Sequence, residues 1–190
     1  MLKRAAILIL FILATTIACN KKEDLYRVVK VKDGDTLELL SFDHQNITVR
    51  LSEIDAPEKN QAFGQAAKQF TSDLCFSKMV RLTVNSRDRY GRTVGQVLLE
   101  DGTNVNYEIV KQGYAWQYRA YSQNMELAGL EEQARESKLG LWQDANPTPP
   151  WDFRKNEKTQ RVTKKKVKRS TRTKRTYRKR KLKRADTVAF

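Results

Sequence analysis

Residues 25–58 read LYRVVKVKDGDTLELLSFDHQNITVRLSEIDAPE, and this stretch decides the fold. Apolar residues alternate through 25–32 and 36–40 and again through 47–52, the period of a half-buried strand. Asp33-Gly34 joins the first two runs as a hairpin signal. Period 2 in the third run puts Ile47, Val49 and Leu51 on one face and Arg50, with Thr48, on the other. Asp35 stands at the first connection, and Asp55 and Glu58 follow the third run directly. Three carboxylates and a guanidinium thus converge from three places in the chain.

Working outward, the period becomes helical over 60–76, where Phe63, Ala67, Phe70 and Leu74 form one stripe. Residues 80–84 and 93–99 read as fourth and fifth strands around the polar turn Asp88-Arg89-Tyr90-Gly91-Arg92. A short helix over 105–112 closes at Gly113. An aromatic segment, 114–121, precedes an amphipathic helix over 125–138 that ends at Gly140. Five strands with a helix after the third and two more behind predict an α+β domain, a five-stranded barrel of the oligonucleotide-binding (OB-fold) type with three helices. Asn146-Pro147-Thr148-Pro149-Pro150 stops regular structure, so the domain is expected to span 25–150.

The two ends have other compositions. Lys3 and Arg4, an apolar run over 5–13 and small residues up to Ala18 have the grammar of a secretory signal peptide, 1–18, and imply export. Two readings of its end stand: cleavage near Ala18 with simple secretion, or a lipoprotein site with Cys19 as the lipidated first residue and 19–24 as tether, which would anchor the protein to a membrane. With Cys19 so used, Cys75 is a buried small hydrophobe, and two cysteines make no disulfide framework. At the other end, residues 155–190 carry 17 Lys+Arg and 2 Asp+Glu, so the formal +15 of the chain resides there. With hardly any apolar residues, the segment 151–190 is expected to be a disordered basic tail that binds polyanions, nucleic acid first and an anionic envelope surface second. A monomer is expected.

The inventory narrows the chemistry. His44 is the sole histidine and falls in a turn, which excludes a histidine-based hydrolase and a His/Cys zinc site. Carboxylates on loops are hard oxygen donors that suit Ca²⁺ or Mg²⁺, and a water-retaining loop site suits the more flexible Ca²⁺. Arginine beside them is the side chain whose fork holds two phosphate oxygens at once. Hydrolysis of a phosphodiester asks for those components: charge neutralisation, a positioned water and donors for the equatorial oxygens.

Asp-Gly-Asp-Thr at 33–36, the strand residue Arg50, Asp-x-Pro-Glu at 55–58 and Asp-x-Tyr-Gly-Arg at 88–92, in this order over 25–142, resemble the staphylococcal nuclease (thermonuclease) family. The resemblance implies an endonuclease cutting DNA and/or RNA at the 5′ P–O bond to leave 3′-phosphate ends. It implies Ca²⁺ on Asp35, Asp55 and the backbone carbonyl of Ala56, which stands where the family often has Thr. Glu58 would activate the water, and Arg50 and Arg92 would bind the phosphate. Arg89 and Tyr90 would lie near the substrate. Tyr118 and Tyr121 would stack on a base or hydrogen-bond a phosphate, or else belong to the core. Asp33 and Thr36 read as turn residues supporting the site. The alternatives are a catalytically silent nucleic-acid-binding barrel and an envelope lipoprotein tethered to polyanions. A silent copy is expected to have lost one of Asp35, Arg50, Asp55, Glu58 or Arg92, and all five are present.

Overall fold

A computed structural model gives the structure of the protein and describes residues 25–165. In chain order the strands are β1 (Leu25–Asp33), β2 (Thr36–Ser41), β3 (Asn46–Leu51), β4 (Ile54–Asp55), β5 (Met79–Arg87), β6 (Thr93–Leu99) and β7 (Trp116–Gln117). Five of them close a barrel in the order β1-β2-β3-β6-β5, and β4 pairs with β7 in a separate two-stranded ribbon. The barrel ladders are antiparallel except β3 with β6, which run parallel and place Arg50 opposite Val94. Helix α1 (Gly64–Cys75) follows β4, α2 (Val105–Lys111) follows β6 and α3 (Met125–Glu136) follows β7. A fourth helix, α4, covers residues 150–165.

The strand pattern fills the barrel as period 2 requires. Val28, Leu37, Leu39, Val49, Leu51, Val80 and Val97 are buried inside, joined by Ala67 and Cys75 from α1 and Val105 and Ile109 from α2. Each full burial of such a side chain stabilises by about 1.5–3 kcal/mol. Burial pushes the Cys75 thiol up to about 12, so it serves as a small core residue. Its S–H donates to the Thr71 carbonyl at 3.0 Å. Asn104 and Asn124 cap α2 and α3, accepting the amides of Tyr107 and Leu127.

Where the parallel pair β3–β6 ends, a buried side chain completes the pairing. Asn106 donates to the Ser52 carbonyl at 3.0 Å and accepts the Val97 amide at 3.2 Å, tying α2 to both strands. Thr71 of α1 donates to the Gly34 carbonyl at 2.8 Å, which docks the helix on the β1–β2 turn. Gly34 is needed there for close approach: a Cβ would stand 2.8 Å from the Ala56 Cβ and 2.9 Å from the Ala67 Cβ.

Three expectations need correction. The sheet has an added ribbon, β4–β7, whose two-residue strands are too short to show a period. Helix α1 begins at Gly64 instead of residue 60, because the Gln61 amide folds back to the Glu58 carbonyl (2.8 Å) and the Gly64 amide to the Gln61 carbonyl (3.0 Å) in successive turns. Residues 151–165, expected to be disordered, are helical, so the α-helices number four among the described residues, beside a 3-10 turn at Gly140–Gln143. Pro150 at the helix start supplies a pre-set φ, and the Phe153 amide closes the first turn on the Pro149 carbonyl at 3.0 Å. The signal segment, Cys19 with its tether, and the tail past 165 lie outside the described residues.

Candidate active site

The β1–β2 connection, the outer face of β3 and the strand-to-helix segment 54–58 meet at one edge of the barrel. Asp35 is buried there. Its Oδ1 accepts the Thr36 hydroxyl at 3.1 Å, and its Oδ2 accepts the Ala56 amide at 2.7 Å. The Asp35 carbonyl accepts the Leu51 amide at 2.9 Å, fixing the turn against β3. Arg50 reaches across from β3: Nη1 lies 3.0 Å from Asp35 Oδ2 and Nη2 2.8 Å from Asp55 Oδ1. One guanidinium therefore holds together the two carboxylates that the sequence placed 20 residues apart.

Asp55 is held by β4 against Trp116 of β7 and is 1% exposed. Burial drives its carboxyl above the usual range, while the hydrogen bonds of Arg154 and the charge of Arg50 pull the other way. Asp33 sits behind Asp35 with Oδ1 buried and without a hydrogen-bond partner among the described residues. Its carboxyl is raised to about 6, first by burial and then by the neighbouring Asp35 charge. Glu58 follows Pro57 at the rim, half-exposed, with its amide donating to Gln61 Oε1 at 3.1 Å. Asp33, Asp35, Asp55 and Glu58 thus make an acidic cluster, with Arg50 paired to two of its members.

Arg92 ends the β5–β6 turn, two residues before Val94, the strand partner of Arg50. The parallel register brings it to the Arg50 side of the sheet, and its Nε is held at 2.7 Å by Asp88 Oδ2. Slight desolvation pushes the Asp88 carboxyl up, but hydrogen bonds from the Arg92 guanidinium and the Arg92 and Tyr90 amides outweigh it and hold Asp88 below its ordinary range. Tyr90 is 71% exposed, with the Arg89 and Arg92 guanidiniums 4.9 and 5.8 Å from its ring centroid. The contacts thus unite Asp35, Arg50, Asp55 and Ala56, Glu58 is linked to Asp55 through Arg154, and Arg89, Tyr90 and Arg92 form a separate turn.

The aromatic segment stands on a different support. Buried Glu131 of α3 accepts the Gln117 amide at 2.6 Å and takes Arg135 in an ion pair of 2.6 Å. The Tyr118 amide donates to the Glu53 carbonyl at 2.8 Å. Tyr118 is half-buried, with its ring 4.9 Å from that of the exposed Tyr121. Tyr121 is therefore at the surface, and Tyr118 is partly enclosed by its aromatic neighbours.

Residues 48–144 match the family model described as staphylococcal nuclease homologue. A protein named as an uncharacterized endonuclease in Haemophilus influenzae is 44% identical over 160 residues, 83% of this chain and 89% of its own length. One named micrococcal nuclease in Shigella flexneri is 43% identical over 141 residues, 69% of this chain and 80% of its own. The chain belongs to the staphylococcal nuclease family. It is a nuclease, an enzyme that hydrolyses phosphodiester bonds.

For a staphylococcal nuclease homologue, the donor set fits a hard divalent cation. Asp35 and Asp55 supply hard oxygens, and the nearby Asp33 carboxyl adds negative potential that Thr36 and Arg50 offset in part. Among the described residues no three His, Cys, Asp or Glu side chains form a ready cage, so backbone carbonyl and water oxygens would complete the shell.

Two residues at the site were not singled out from sequence. Arg154 of α4 donates Nη2 to Asp55 Oδ2 at 2.7 Å and Nη1 to Asp55 Oδ1 at 3.2 Å and Glu58 Oε1 at 2.8 Å. Trp151 stacks on Tyr118, centroids 5.5 Å apart and planes 3° from parallel. The available signal was Trp151 and Phe153 directly after the proline run, two large apolar residues that a solvated tail does not need.

Proposed function

We propose that the protein is an exported, Ca²⁺-dependent nuclease acting on DNA, RNA or both. The observation that carries this reading is Arg50 bridging Asp35 and Asp55, with Glu58 three residues beyond Asp55. Asp35, Asp55 and the Ala56 carbonyl would hold the ion. Bound there, Ca²⁺ supplies positive charge that neutralises the phosphate and the charge developing on it.

The chain's own residues do the rest. Glu58 accepts the proton of a water as the water oxygen bonds to phosphorus, and the bond from phosphorus to the 5′ oxygen breaks with its electron pair on the leaving oxygen. That oxygen takes a proton from solvent and departs as a 5′ hydroxyl, leaving a 3′-phosphate. Arg50 and Arg92 fork onto the non-bridging oxygens, where their donors strengthen as charge accumulates. The exposed Tyr121 offers its ring to a neighbouring base, while Tyr118, stacked by Trp151, would hydrogen-bond a phosphate through its hydroxyl.

Export is supported by the basic start, the apolar run over 5–13 and Ala18-Cys19. The 17 cationic side chains of 155–190 support polyanion binding by counterion release. Removing everything after Lys165 should flatten the salt dependence of binding to long DNA.

The test is digestion of closed circular DNA by the purified protein in Ca²⁺, repeated with excess chelator. Opening of the circle in Ca²⁺ and its arrest by chelator are expected. Undiminished cutting in chelator would remove the metal from the reading, and a circle left intact while linear ends are degraded would make the enzyme an exonuclease.

A further inference from the structure

Among the described residues, helix α4 is fastened to the body through its first turn. Trp151 stacks on Tyr118 and meets the Trp116 ring edge-on at 5.7 Å, Phe153 is half-buried, and Arg154 enters the acidic pocket. From Lys155 to Lys165 the side chains are exposed except the half-buried Glu157. A cleft of about 230 Å³, partly open to solvent, lies beside Phe153 and is lined also by Pro57, Phe63, Trp116 and Leu141. The anchor is therefore a small set of aromatic contacts plus one ion-paired guanidinium.

That guanidinium competes for the atoms a metal would use. Arg154 Nη2 lies 2.7 Å from Asp55 Oδ2, and Asp55 Oδ1 is shared between Arg154 Nη1 and Arg50 Nη2. Ca²⁺ binds carboxylate oxygen at about 2.3–2.6 Å, and on Asp55, whose two oxygens already take three guanidinium contacts, the ion needs a place that Arg154, the more exposed of the two arginines, now fills. Glu58 Oε1, the proposed proton acceptor, is engaged by Arg154 Nη1 at 2.8 Å. Three carboxylates, Asp35, Asp55 and Glu58, face Arg50 alone from the barrel, so the cluster draws in a further cation, and the chain provides Arg154.

Farther along the same helix, Lys155, Lys158, Arg161, Lys164 and Lys165 project into solvent, opposed by Glu157 alone, which pairs with Arg161 at 3.1 Å. A polyanion gathered on these residues pulls on the element that carries Arg154. We propose that Arg154 is an internal cation closing the Asp55–Glu58 pocket, and that nucleic acid held on the basic side chains of α4 releases it and so favours Ca²⁺ binding. Ion and arginine then exclude one another at Asp55, and substrate decides between them. This rests on the assignment of Asp35 and Asp55 as the Ca²⁺ site.

The experiment measures Ca²⁺ binding by calorimetry on the full-length protein, with Asp55→Asn as the control for the underlying assignment. If the closed form holds about nine-tenths of the molecules, freeing it improves the apparent Kd about tenfold. Arg154→Gln should therefore bind Ca²⁺ about tenfold more tightly than wild type, and Arg154→Lys, which keeps the charge and loses the fork, should fall between. Polyvinyl sulfate, a polyanion with no phosphodiester, should tighten Ca²⁺ binding to wild type and leave Arg154→Gln unchanged. Equal Kd values for wild type and Arg154→Gln overturn the closure. An equal effect of polyvinyl sulfate on both overturns its release by polyanion. Ca²⁺ binding untouched by Asp55→Asn overturns the metal assignment itself and the competition with it.

Discussion

The amide of Ala56 donates to Asp35 Oδ2 at 2.7 Å, joining two segments 21 residues apart through one carboxylate oxygen. The same oxygen faces the Arg50 guanidinium at 3.0 Å. Asp35 is thus both a candidate ligand and a brace. Asp35→Asn can still turn an oxygen to the Ala56 amide but presents no charge to Arg50 or to an ion. Ca²⁺ needed for half-maximal activity should rise about tenfold or more, with partial rescue at high Ca²⁺. An unchanged Ca²⁺ requirement would place the ion elsewhere.

Glu58 is half-exposed and contributes little to packing, so its replacement reports on chemistry. Glu58→Gln retains shape and loses the capacity to take a proton. Turnover should fall by roughly 10² or more with an unaltered melting temperature. Activity within a few-fold of wild type would remove Glu58 from the proton-accepting role.

Gly34 is squeezed between Ala56 and Ala67. Gly34→Ala puts a methyl within 3 Å of both Cβ atoms, and overpacking of this kind costs about 1–3 kcal/mol. The melting temperature should drop by roughly 3–10 °C. Because Thr71 and Asp35 are both tied to this turn, Ca²⁺ affinity should fall with it. A variant as stable as wild type would show that the turn shifts without cost.

Asp88 holds Arg92 by its Nε and two amides of the turn. Its carboxyl is depressed in the folded protein, so the unfolded chain binds the proton more readily. The contribution is complete above the unfolded value of about 4 and is lost as pH falls through the lower folded value. Asp88→Asn should therefore flatten the acid side of the stability curve, and by loosening Arg92 it should raise KM or lower turnover several-fold at neutral pH. Coincident acid unfolding curves and unchanged kinetics would show that Asp88 does not hold Arg92 in place.

The barrel could be read from sequence because its signals are local. Alternation in β1, β2, β3 and β6 reports which face is buried, and the helical stripe of α1 needs no partner to be recognised. Asp35, Arg50, Asp55 and Glu58 were legible for a related reason: each sits at a fixed offset from a strand end, so strand geometry nearly dictates their approach. The ribbon β4–β7 was not legible, since two residues carry no period and their pairing depends on Glu131 anchoring the Gln117 amide from a helix beyond.

Helix α4 shows most plainly what tertiary structure alone decided. Past its first turn it carries no apolar stripe, and by composition the segment looks like solvated tail. What seats it is the meeting of Arg154 with Asp55, 99 residues earlier, and of Trp151 with the Tyr118 ring. A sequence determines a buried face because water rejects it wherever the chain goes. An ion pair between distant residues has no such periodic trace, because its attraction depends on the separation and dielectric that the folded barrel creates.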